Sequence, residues 1–205
     1  MRLTEQDIRN ITVGAVNITH ENNEYHFYKC TEKQISYFDK DDLGGLLRRA
    51  FALCGEELNM DGDFYSRNLH SAEYGTLFDL AFSALRFSNA VLVNAPLIKE
   101  VRDVEYMSRL KQRAGELGAE LILVWVVASS SACYERMKSR NSDRDIMKLA
   151  QWEEYVRKTD CSAPQTLLTS DAVDRLFVFD NENNEIATHS LEKFLEILGE
   201  RNAEP

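Results

Sequence analysis

Five short, nearly uninterrupted apolar runs set the tightest limit on what this chain can fold into. They are Ile11-Thr-Val-Gly-Ala-Val16, Ile35-Ser-Tyr-Phe38, Ala90-Val-Leu-Val93, Leu121-Ile-Leu-Val-Trp-Val-Val127 and Leu176-Phe-Val-Phe179. A run that is apolar on consecutive residues suits a strand covered on both faces, as in a parallel sheet. Between the runs lie stretches of helical period. Tyr74, Leu77, Phe78, Ala81 and Leu85 share one face. Val101, Val104, Met107, Leu110, Ala114 and Leu117 make a second stripe, stopped by Gly118 at a C′ position. Further helices are expected over about 130–140, 145–158 and 191–198. Strands and helices alternating in this way predict an α/β fold, a doubly wound parallel five-stranded sheet.

The chain has 205 residues, 44% of them apolar, enough for one well-buried domain. Its formal charge of −10 disfavours nucleic-acid and anionic-membrane partners, because a chain of that sign repels phosphate at long range. The N-terminal stretch carries acids and lacks an apolar core, so no secretory signal is expected, and the expected compartment is the cytoplasm. Cys30, Cys54, Cys133 and Cys161 are scattered, and the expected state is free, mostly buried thiols. The four histidines (His20, His26, His70, His189) show neither ligand nor triad spacing.

In doubly wound folds ligands sit beyond the C-terminal ends of the strands. The first run leads into Gly14-Ala-Val-Asn-Ile-Thr-His-Glu21, placed where a phosphate-binding loop would lie. A P-loop needs a second glycine, a lysine and a hydroxyl at its end, so that backbone N–H groups wrap the phosphates. Gly14 stands first, but Thr19, His20 and Glu21 occupy those three places, and an ordinary strand-to-helix loop is the simpler reading. The second run ends in Asp39-Lys-Asp-Asp42. On an extended strand end Asp39 and Asp41 would point the same way and could hold Mg²⁺ or accept a hydroxyl proton. Alternatively these acids solvate the strand end and cap the next helix. Arg102 either pairs with Glu100 or Asp103 or contacts an anionic ligand.

Between Tyr134 and Lys148 five cations face three acids in an otherwise acidic chain. Arg136 and Arg140 are four apart, and Arg144 follows a polar turn. Such arginines suit phosphate oxygens and the charge of phosphoryl transfer; they also suit a solvated helix face with i,i+4 pairs. The insertion over about 55–70 holds Asp61, Asp63, Tyr65 and Arg67. With Glu73 it fits either the wall of a small polar pocket or a solvent-facing loop.

Taken in order, these pieces resemble the P-loop small-molecule kinases: shikimate and gluconate kinases, zeta toxins, chloramphenicol phosphotransferase, and the bacterial "AAA family ATPase" or "predicted kinase" proteins. The resemblance rests on Asp39-Lys-Asp41, Val91-Leu-Val-Asn-Ala-Pro96, Val124-Trp-Val-Val127 leading into Glu135-Arg-Met-Lys-Ser-Arg140, Asn141 to Leu149, and Trp152-Glu-Glu-Tyr-Val156. It spans about residues 11–180. It implies one P-loop kinase-like domain over 1–205, with a substrate insertion and a helical lid over about 136–148. ATP and Mg²⁺ would be its cofactors and a small hydroxylated molecule its partner, in a monomer or homodimer. Asp39 would be the base or magnesium-side carboxylate and Asp41 a substrate contact. Arg136, Arg140 and Arg144 would clamp the nucleotide. The resemblance departs at the phosphate loop, where only Gly14 fits the pattern. That departure implies impaired transfer, or a non-catalytic nucleotide-binding or regulatory module, or an altered segment.

Overall fold

A computed structural model describes residues 10–15, 35–88, 90–142, 145–158 and 162–199. Five strands, β1 (Asn10–Ala15), β2 (Ser36–Asp39), β3 (Ala90–Ala95), β4 (Glu120–Val127) and β5 (Arg175–Asp180), form one sheet in the order β2-β3-β1-β4-β5. Every neighbouring pair is parallel, and the register sets Asp39 of β2 beside Asn94 of β3, Asn94 beside Gly14 of β1, and Gly14 beside Val124 of β4. Three strand ends that carry candidate chemistry therefore lie in one row along the C-terminal edge.

Helices α1 (Gly44–Cys54), α2 (Asp63–Asn68) and α3 (His70–Leu85) join β2 to β3, and α4 (Val104–Glu116) joins β3 to β4. After β4 come α5 (Ser130–Arg140), α6 (Ile146–Ala150), α7 (Trp152–Lys158) and α8 (Gln165–Leu168), and α9 (Asn184–Gly199) follows β5. One face of the sheet is covered by α3 and α4. There Leu77, Phe78 and Ala81 meet Val91 and Val93, while Met107, Leu110 and Ala114 sit with Leu121, Leu123 and Trp125. The other face packs Ile122, Val124 and Phe179 under Ala187 and Phe194 of α9. Burial on both faces accounts for the solid apolar strands. A satellite cluster of Leu47, Phe51 and Tyr65 seats α2 on α1.

Two helices are shorter than periodicity predicts. The stripe from Val101 to Leu117 is broken at Asp103, which adopts extended backbone (φ −95°, ψ 96°). Its carboxylate accepts the Tyr106 N–H at 2.9 Å, so α4 starts there and Glu100–Arg102 form a separate 3-10 turn. The stretch expected as one helix over 145–158 divides at Gln151, which leaves helical backbone at φ −123°, ψ 41°. The last helix begins earlier than its apolar stripe, at Asn184, because Asn183 Oδ1 accepts the Ile186 N–H at 3.0 Å. Cys54 is a free thiol exposed to solvent, against the expectation of burial, and Cys133 is free and half-buried. Among the described residues no helix is long and apolar enough to cross a membrane.

Candidate functional site

Asp39 is the last residue of β2, and its side chain decides what the following residues do. Its Oδ1 accepts the Asp41 N–H at 2.8 Å and so caps a 3-10 turn over Lys40–Leu43. That turn corrects the expectation that Asp39 and Asp41 project side by side from extended chain. Asp41 lies on the turn with 59% of its side chain exposed. The other oxygen of Asp39 accepts the Tyr37 hydroxyl at 2.8 Å and the Asn94 amide at 2.8 Å, and Asn94 also donates to the Tyr37 oxygen at 3.0 Å. Neighbouring strands thus hold this carboxylate in one orientation.

Lys40 turns inward. Its ammonium lies 3.2 Å from Glu73 and 3.8 Å from Asp41, with 15% of its side chain exposed against 1% for Glu73. The second Glu73 oxygen accepts a short hydrogen bond from the Tyr65 hydroxyl. Burial, then the hydrogen bond to Glu73, holds the Tyr65 phenol far above the ordinary phenol range. Of the residues expected to wall a substrate pocket, Tyr65 and Glu73 therefore come together. The other three do not join them. Asp63 and Arg67 pair with each other at 3.0 Å, 88% and 76% exposed, and Asp61 is exposed on the loop before α2. They form the solvated face that an i,i+4 ion pair favours.

Pro96 ends β3 and confines Ala95 to extended backbone. The next residue, Leu97, is fully buried yet lies in the left-handed region at φ 50°. A non-glycine residue there costs about 1–2 kcal/mol, and the Val101 N–H bonded to Leu97 O at 3.0 Å closes the turn. Arg102 stabilises the same loop: it donates to Ile98 O at 2.6 Å and Ser162 O at 3.2 Å, and its guanidinium lies 5.7 Å from the Trp125 ring centroid. The Ile98 and Ser162 carbonyls receive those two donors. The turn brings Glu100 inward, where His70 Nε2 approaches it at 3.5 Å. Tyr74 and Tyr106 sit nearby. Burial and the Glu100 charge push Tyr106 up to about 12 and hold Tyr74 above the ordinary phenol range, although a backbone hydrogen bond from Leu97 opposes the rise in Tyr74.

The arginine-rich segment lies at the other end of the same edge. Ser129 caps α5, its Oγ accepting the Ala132 N–H at 3.1 Å. Glu182, just past β5, accepts both the Ser129 hydroxyl and its N–H at 2.6 Å. Those two bonds, with a smaller contribution from Arg136, hold its carboxyl below the ordinary carboxylate value. Arg136 donates to the carbonyls of Asn181 at 2.6 Å and Glu182 at 3.0 Å. Arg140 donates twice to the buried carboxylate of Asp145, at 2.9 and 2.6 Å. In both arginines Nη1 is buried and has no hydrogen-bond partner among the described residues. Thr19, His20, Glu21 and Arg144 lie outside the described residues.

The edge therefore carries a fixed carboxylate at β2, the glycine of the phosphate-loop candidate at β1, and Arg136 with an unmet donor just past β5, while Arg140 ends the same helix against Asp145. Four inter-strand steps separate β2 from β5, about 19 Å at the usual spacing. Lys40, Asn94, His70 and Glu100 were not singled out from the sequence. Lys40 and Asn94 stand inside motifs of the resemblance and Glu100 beside Arg102, but their partners and that of His70 lie about 30 residues distant or more.

Orphaned guanidinium donors fit an anionic group such as a phosphate chain, and Asp39 fits the single carboxylate that Mg²⁺ commonly takes alongside phosphates. Among the described residues no three His, Cys, Asp or Glu side chains gather to hold a metal by themselves.

No family model matches the chain, and no curated protein matches it in sequence. Solved structures do match. A gluconokinase from Sinorhizobium meliloti 1021 superposes with a TM-score of 0.53 at 16% identity, covering 94% of this chain and 95% of its own. A shikimate kinase from Bacteroides thetaiotaomicron gives 0.51 at 10% identity, covering 92% and 97%. A chain of the PezAT chromosomal toxin–antitoxin system of Streptococcus pneumoniae gives 0.50 at 12% identity, covering 95% and 87%. Identities this low speak for architecture alone: this chain shares its fold with the gluconokinase, the shikimate kinase and the PezAT chain.

Proposed function

We propose that this chain is an ATP-dependent phosphotransferase acting on a hydroxyl of a small molecule, slowed by its degenerate phosphate loop. One observation carries the reading: the Asp39–Asn94 pair and Arg136, bound to the carbonyls just past β5, stand on one sheet edge, with the end of β1 between them. Bound nucleotide would supply the phosphoryl group and Mg²⁺ would offset its charge. Arg136 and Arg140 would hold phosphate oxygens through the Nη1 donors, and Asp39 would hold the metal or take the proton of the acceptor hydroxyl. Asp41, exposed on the turn after Asp39, would contact the incoming acceptor. Loss of the loop lysine removes a fixed cation from the phosphates, worth roughly 3–4 kcal/mol of barrier by analogy with the loss of one oxyanion donor.

The block Thr19-His20-Glu21 favours a second reading, a nucleotide-binding or regulatory module without turnover. One experiment separates the two: transfer of radiolabelled γ-phosphate across a panel of sugars, nucleosides and antibiotics, run beside thermal shift with Mg-ATP. Transfer by the native chain, reduced about 100-fold in Asp39→Asn, supports the phosphotransferase. A thermal shift without transfer supports the module. Neither signal, even after Thr19→Gly, His20→Lys and Glu21→Ser rebuild the loop, sinks both.

A further inference from the structure

We infer that the cleft between the start of α3 and the loop after β3 binds an ammonium group, so that the acceptor is a hydroxylated amine rather than a sugar acid. The inference builds on the acceptor end of the reaction proposed above. The cleft encloses about 200 Å³ and is lined by His70, Ser71, Tyr74, Glu100, Asp103 and Tyr106, with Lys99 on its exposed rim. It opens on the C-terminal edge, since α3 packs along β2 and β3 and the loop leaves the end of β3.

Glu100 carries the argument. It is 9% exposed, lines the cleft, and its carboxylate accepts no hydrogen bond from any described residue; His70 Nε2 lies beside it at 3.5 Å. A carboxylate this far withdrawn from bulk water and facing a cleft gains from a cation that donates hydrogen bonds into it. Tyr74 and Tyr106 line the same cleft, and aromatic rings attract cations. Asp103 adds a second negative charge while its Oδ1 holds the Tyr106 N–H. For an acid the lining offers only His70, already beside Glu100, and Lys99 on the exposed rim. Arg67 faces solvent in its pair with Asp63, and Arg102 is turned to carbonyls of its own loop and of Ser162.

The test is calorimetric titration of the full chain, without nucleotide, with three probes on one scaffold: trans-4-aminocyclohexanol, cyclohexane-1,4-diol and 4-hydroxycyclohexanecarboxylate. The amine is expected to bind about tenfold or more tighter than the diol, with the carboxylate weakest. Glu100→Gln should abolish that preference. Ser71→Arg, at an exposed position on the rim, should weaken amine binding without altering Glu100, and it serves if Glu100→Gln fails to fold. Equal or tighter binding of the carboxylate, no binding of any probe, or a preference that survives both substitutions overturns the inference. Amine binding with no phosphoryl transfer rejects the phosphotransferase alone. Transfer to the diol or the acid with no amine preference rejects the amine alone.

Discussion

The two ends of the sheet edge solve the problem of placing charge in opposite ways. At the β2–β3 end, polar side chains bind one another across long sequence separations. Asn94 reaches Asp39, Lys40 reaches Glu73, and Tyr65 closes on the same carboxylate. At the β4–β5 end, arginines are tied to backbone carbonyls or to an acid five residues away, and each keeps one buried donor unmet. The first arrangement is rigid before anything binds, because each charge already has its counterpart. The second holds its cations in place yet leaves them short of an anion. The contrast teaches where binding energy is to be gained: at the arginine end, and at the one acid near β3, Glu100, that the clasp does not include.

The contrast can be broken most severely at Glu73. Glu73→Ala leaves Lys40 and the Tyr65 hydroxyl buried without their acceptor, and should cost about 3–5 kcal/mol in urea unfolding. Glu73→Gln, which keeps the volume and one acceptor, should cost about 1–3 kcal/mol. Equal losses in the two variants would mean that packing, not charge pairing, holds α2 to α3. Arg140→Ala strands the buried Asp145 carboxylate and should cost about 2–3 kcal/mol in the same assay. Added phosphate should stabilise the native protein more than this variant if the unmet Nη1 is an anion site.

Acidification sharpens the arginine end. The Glu182 carboxyl is held below its ordinary value of 4.5, so its contribution is fully present above that pH and fades as pH falls through the lower folded-state value. The melting-temperature difference between the native chain and Glu182→Gln should therefore be constant near neutrality and shrink below about pH 4.5. A difference that stays constant in acid would show that Ser129 is anchored without this charge. The smallest effect belongs to the solvated face. Asp63→Ala should change stability by about 0.5 kcal/mol or less, since an exposed pair gains little over water.

Much of the scaffold was legible because its signals are local. Consecutive apolar residues marked all five strands, and Gly118, at φ 70°, ends its helix where the sequence placed a stop. The helix breaks at Asp103 and Gln151 were not legible, because apolar period runs on through both while capping and backbone geometry interrupt the helix. Within the site, Asp39 could be found from its place at a strand end. Its separation from Asp41 could not, since a side chain that caps a turn looks the same in sequence as one that points into solvent. Arg67 shows the converse: it is the residue type an anion would want, and it pairs with Asp63 one helical turn away. His70 and Glu100 carried no spacing signal, being brought together by the crossover from α3 through β3.

Leu97 has a consequence for inheritance. Because a buried leucine is locked there in a conformation that favours glycine, relaxing the backbone and preserving the packing demand opposite substitutions: glycine would ease the turn and hollow the interior beneath it, whereas a branched residue would do the reverse. Substitution at that position is thereby costly in either direction, and the turn that carries Glu100 depends on it.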